Sequence, residues 1–192
     1  ANTVCVKDNE GNDQYIDTGF IVYNKNNYPN FIQFLSKLDV KPVPTTMSFS
    51  YTNDKQNISY AGTKKSIINI LANPINSFNR NMLFNIYRYT QQLKRDKLDS
   101  KLYDITISKY LSKIGCPQET IENYFIPIAS AIWSCNKEDS SKIPAGAYIT
   151  FFENHGLLDL FKKLDWYTIS HGSKTYLEKF TKQFQGKINL QH

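Results

Sequence analysis

The sequence predicts an α+β fold: a small mixed or antiparallel sheet accompanied by a cluster of helices. Short alternating apolar runs, bounded by turn-forming residues, occur near both ends and again around residues 47–61, as strands require. Apolar side chains recur every three or four residues through much of 78–152, as buried helix faces require. Hydrophobic residues are 41% and aromatics 14% of the 192 residues, enough for a packed core without metal or disulfide support.

Thr3-Val4-Cys5-Val6 and Gln14-Tyr15-Ile16-Asp17 flank the turn formers Asp8 to Asn12, the pattern of a β-hairpin. Gly19 follows closely, so the backbone is expected to bend there. A helix is predicted over 28–38, with Pro29 in its first turn and Phe31, Phe34, Leu35 and Leu38 on one face. Lys41-Pro42-Val43-Pro44 reads as an extended connector, because each proline restrains the residue before it. Residues 47–53 and 57–61 read as a second hairpin.

Asn73-Pro74 is expected to open a long helix through Lys97, with Phe78, Met82, Ile86, Tyr89 and Leu93 inward. A second helix is predicted over 106–114, stopping at Gly115, and a third from Pro117 to Trp133 with a kink or break at Pro127. Pro144 opens another, which carries Tyr148, Phe151 and Phe152. A strand at 166–169, a tight turn at Ser170-His171-Gly172 and a helix over 173–184 follow, with a final strand at 187–190. Chain ends that fall inside strands lead us to expect a piece of a larger fold.

Net charge is +6, but the densest basic cluster, around Lys94 to Lys101, is interleaved with Asp96 and Asp99, as on a solvated helix face. No nucleic-acid motif accompanies it, and a nucleic-acid partner is not expected. No apolar run is long enough to span a bilayer. Cys5, Cys116 and Cys135 are odd in number and far apart, which argues against a metal site and for reduced thiols in a cytoplasmic protein.

Three segments invite chemistry. Asp17-Thr18-Gly19-Phe20 places a glycine where backbone can approach a flat ligand, although a plain hairpin turn accounts for the same residues. Trp166-Tyr167-Thr168-Ile169-Ser170-His171-Gly172-Ser173 is a strand, a small-residue turn and a helix start. Such starts suit phosphates or electron-rich ring edges, with Ser173 available as a cap. Around Trp133 and from Phe151 to Leu158, small residues and aromatics mix with a few polar groups, as in ligand cavities and in tight helix pairs alike.

Taken in order, Asp17-Thr18-Gly19-Phe20-Ile21-Val22-Tyr23-Asn24, Tyr28-Pro29-Asn30, Met47-Ser48-Phe49-Ser50, Ala131-Ile132-Trp133-Ser134, Phe151 to Leu158, and Trp166-Tyr167-Thr168 with Gly172-Ser173 resemble the flavin-containing amine oxidoreductase family. The resemblance, to a bacterial branch of NAD/FAD-binding proteins, covers essentially the whole chain. It implies the substrate-binding domain of an amine-oxidase-like flavoprotein. Residues 1–192 would form one such domain, with 1–24 and 166–192 abutting a missing Rossmann FAD domain of the same polypeptide. FAD would be the parent's cofactor, and the chain alone, lacking GxGxxG, would be inactive and would not retain it.

By the same resemblance, Asp17, Thr18, Gly19, Phe20, Trp166, Gly172 and Ser173 would lie at the flavin. Trp133, Asn154 and His155 would face a small-molecule substrate, apolar or lipid-like. No catalytic residue is identified, since the cofactor carries the chemistry. His171 stands where the family usually has a second glycine. His155 admits a reading as a base or as a helix-end residue capping its own backbone. Gly172→Trp is expected to crowd the ring and weaken FAD retention. The alternative is a non-catalytic module that binds an apolar ligand or a protein.

Overall fold

The structure, a computed structural model, describes residues 2–19, 21–56, 58–62, 64–72, 77–158 and 164–189. Phe20, Asn73, Pro74, Leu190 and His192 lie outside them. In chain order come β1 (Thr3–Lys7), β2 (Asp13–Asp17), β3 (Tyr23–Asn24), α1 (Pro29–Lys37), β4 (Pro42–Thr45), β5 (Ser50–Asn53) and β6 (Ile58–Ala61). The helices α2 (Lys64–Ala72), α3 (Ser77–Asp96) and α4 (Ile107–Lys113) follow, then α5 (Gln118–Thr120), a π-helical turn (Ile121–Phe125) and α6 (Ile126–Trp133). After them come α7 (Lys137–Ser141), α8 (Ala145–Asn154), β7 (Trp166–Ile169) and α9 (Lys174–Gln183). The fold is α+β with small antiparallel sheets, and residues group into two compact units, 1–47 with 164–192, and 48–163.

In the first unit, β1 and β2 pair antiparallel, Thr3 opposite Asp17, and a second sheet has the order β3-β7-β4. The stretch expected to be a connector is therefore a strand: Pro42 to Thr45 pairs with Ile169 to Trp166. Two prolines are tolerated because β4 is an edge strand. Their spacing of two puts both missing N–H groups on one lateral edge, leaving those of Val43 and Thr45 on the other. Tyr23, Leu35, Leu38, Val40 and Ile169 form the core, where Phe31 and Phe34 of α1 meet Tyr176 and Phe180 of α9. Residues 187–189 form no strand.

The second unit packs helices around Leu93, Ile107, Leu111, Phe125, Tyr148, Ile149 and Phe152, all buried, with the β5–β6 hairpin beside α3 through Ile58, Tyr60, Ile70, Met82 and Ile86. Helix α4 starts as its sequence directs, with Thr106 Oγ1 accepting from Lys109 N–H, and the chain leaves it through Gly115 at φ +78°. Pro127 does not break the helix. It has no N–H for the carbonyl four residues back, that of Asn123, and the Tyr60 hydroxyl donates to that carbonyl at 2.5 Å (the chain widens to a π turn just before). Helices α2 and α7 had no counterpart in the sequence reading.

Burial pushes the hydroxyls of Tyr60, Tyr110 and Tyr148 well above their ordinary range and that of Tyr124 up to about 12. It also pushes the Cys116 thiol up to about 12. The folded chain holds protons that the unfolded chain releases from about pH 9 for cysteine and pH 10 for tyrosine. These groups therefore support the fold fully at neutral pH, and the urea midpoint is expected to fall as pH rises above about 9. A midpoint unchanged between about pH 8 and about pH 11 contradicts this. Exposed Cys5 should react with a thiol reagent at once, and buried Cys116 only on unfolding.

Candidate functional site

In the first unit, one carboxylate ties two distant segments together. Asp17 ends β2, and the β7–α9 turn passes beside it with His171 at φ +61° and Gly172 at φ +82°. Both Asp17 oxygens accept from Ser173 N–H, at 2.9 and 3.0 Å. The Ser173 hydroxyl donates to Oδ2 at 2.9 Å, and the Thr3 hydroxyl donates to Oδ1 at 2.5 Å. Thr3 Oγ1 in turn accepts from Lys174 N–H at 3.0 Å. The sequence offered Ser173 as the cap of α9. Its own side chain makes no such bond, and Asp17 and Thr3 cap the helix from the hairpin.

The N–H groups of Ser173, Lys174 and Thr175 are thus engaged within the chain, and the positive end of the helix dipole already faces a carboxylate. Gly172 is required by its backbone angle and by space: a Cβ there would meet Thr3 Cγ2 at 2.4 Å and Asp17 Oδ1 at 3.0 Å. Gly172→Trp would therefore disturb the cap before it reached any ligand, which makes it a poor probe of flavin contact. Gly19 differs: a Cβ built on it meets nothing within 4 Å among the described residues. Thr18 is exposed and holds Asn2, its N–H and hydroxyl donating to the Asn2 carbonyl at 2.9 and 3.3 Å.

His171 takes the left-handed backbone that a glycine would take, and its ring meets the edge of Tyr15, 5.8 Å away. Trp166, half-buried, begins β7 opposite Asn24 of β3. Asn24 is 1% exposed, and its Oδ1 accepts from Asn27 N–H at 2.9 Å. Its Nδ2 has no acceptor, the one buried side-chain polar atom so placed among the described residues. Asn24 was not singled out from sequence; its place at the end of the Asp17–Asn24 motif was the available signal.

In the second unit, Trp133 closes α6 and His155 caps α8. The Phe151 ring lies between them, 4.8 Å from Trp133 and stacked 3.9 Å from His155. His155 Nδ1 donates to the Phe151 carbonyl at 2.8 Å, since a carbonyl can only accept. Gly156, at φ +66°, then ends the helix, and Leu157 N–H closes it on the Phe152 carbonyl. Asn154 is exposed in the last turn. No cluster of three metal-ligating side chains exists among the described residues. The sequence matches no protein-family model and no curated protein.

Proposed function

We propose that this chain is the substrate-binding and flavin-edge portion of an FAD-dependent oxidoreductase of the amine-oxidase type. Its full polypeptide would move a hydride from a C–N or C–C bond of the substrate to the flavin. The observation that carries the reading is the meeting of Asp17-Thr18-Gly19 with Gly172-Ser173, two segments 156 residues apart that the sequence resemblance puts on the flavin. FAD, when bound, supplies the hydride acceptor.

The residues present fit a ring edge better than a phosphate. Gly19 is open to close approach, and Asn24 Nδ2 is a buried donor beside Trp166. The Ser173 and Lys174 amides at the start of α9 are already used, and the chain has no GxGxxG, so the pyrophosphate belongs to the parent's other domain. Asp17, Ser173 and Gly172 act in this reading by holding the two segments in register. Trp133, Asn154 and His155, with Phe151, offer an apolar wall with polar ends for a substrate of matching character.

The test is a visible absorption spectrum of the full polypeptide that contains this chain. Oxidised-flavin bands are expected, and Gly19→Trp should reduce flavin content about tenfold or more while leaving the circular dichroism unchanged. A protein that stays colourless with added FAD overturns the reading in favour of a non-catalytic binding module.

A further inference from the structure

Residues 55–95 hold seven of the chain's 23 basic residues and none of its 17 acids. The rest of the chain, with 16 basic and 17 acidic residues, is close to neutral. Among 20 lysines there are three arginines, and all three, Arg80, Arg88 and Arg95, lie on α3. At 3.6 residues per turn, these positions share one stripe with Phe84 and Gln91, flanked by Tyr87. That stripe faces outward: Phe84 is 64% and Tyr87 45% exposed, while Met82, Ile86, Tyr89 and Leu93 are buried behind it. Helix α2 repeats the pattern, with Ile68 62% and Leu71 57% exposed, Ile70 buried, and Lys65 exposed.

Single exposed apolar side chains need no explanation, and a basic helix face is usually just solvated. Here large apolar side chains and cations share one face on each of two successive helices, over 41 residues without an acid. We infer that the outward faces of α2 and α3 dock on an anionic lipid bilayer. Phe84, Ile68 and Leu71 enter the headgroup–acyl boundary, and the exposed Arg88 and Arg95 guanidinium groups bind lipid phosphates around them. Charge complementarity names the partner: an acid-free face is attracted to a negative surface at about fivefold in partition for each cation brought near it. The exposed aliphatic residues favour a bilayer over a nucleic acid, which offers no hydrocarbon to receive Ile68 and Leu71. No helix among the described residues is long and apolar enough to cross a membrane, and this attachment is interfacial.

The test is co-sedimentation of the chain with vesicles of phosphatidylglycerol and phosphatidylcholine, against vesicles of phosphatidylcholine alone. Binding to the first, at least tenfold weaker on the second and weakened by salt, is expected. Arg88→Gln with Arg95→Gln should reduce it on the order of twentyfold, and Ile68→Ser with Phe84→Ser about tenfold, at an unchanged urea midpoint. Equal or absent binding to the two vesicle types overturns the proposal from the wild-type chain alone. So does tighter binding to a single-stranded oligonucleotide that ignores Ile68→Ser. No flavin enters the measurement, so its failure leaves the oxidoreductase reading standing, and a colourless parent leaves this proposal standing.

Discussion

Asp17→Ala is expected to destabilise the first unit by about 3 kcal/mol, because one small change removes four hydrogen bonds to a carboxylate. Bonds to a charged group contribute about 1.5–3 kcal/mol each where the donor is then left unpaired, and a lost helix cap about 1. The contributions do not add, since the Ser173 N–H is shared between both oxygens and the half-buried Thr3 hydroxyl can turn to water, although Ser173 itself is buried. Asp17→Asn keeps one acceptor oxygen and should lose about half as much. The chain's two tryptophans fall one in each unit, so a Trp133→Phe background leaves Trp166 to report unfolding of the first unit alone. A loss within about 0.5 kcal/mol would show that the cap is ornamental and that α9 is held by Phe34, Tyr176 and Phe180 instead.

Phe152→Ala should cost the second unit about 3–5 kcal/mol, the usual range for emptying a buried phenyl site. Phe152 is 1% exposed, stacked 3.9 Å from Tyr148 and flanked by Trp133 and Phe151. Its neighbours are held from several helices at once, so the site collapses poorly: Tyr148 is tied to the Phe125 carbonyl, and Trp133 ends α6. Phe152→Leu should recover most of the loss. Trp133 fluorescence against urea measures both, and a cost under about 1 kcal/mol for the alanine variant would contradict this packing.

Much of the element order was legible because local rules wrote it. The hairpin of β1 and β2 follows from alternation around Asp8-Asn9-Glu10-Gly11. Helices α1, α4 and α9 follow from Pro29, Thr106 and the turn at Gly172. Where local and non-local forces compete, the reading went astray. Pro42 and Pro44 looked like a connector because proline lacks a ladder donor, but an edge strand needs donors on one side only. Pro127 reads as a kink or break because the Asn123 carbonyl loses its partner; a π turn does precede it, but Tyr60, 63 residues away along the chain from Asn123, supplies a donor and the helix runs on.

The candidate site divides the same way. Composition and order alone marked Asp17 to Gly19, Gly172 and Ser173 as special, and marked Trp133, His155 and Trp166 as aromatic features worth locating. That Asp17 caps a helix whose first residues lie 156 positions later, that Gly172 is demanded by Thr3 while nothing among the described residues demands Gly19, and that Asn24 buries an Nδ2 with no acceptor among them are facts of tertiary contact. The sequence by itself determined the β1–β2 hairpin and helices such as α1, α4 and α9, because those follow from periodicity and turn chemistry within a few residues, but not β4, α2 or α7. Only the tertiary structure decided which polar groups are already satisfied, because hydrogen-bond partners far apart in the chain leave no mark on the residues between them.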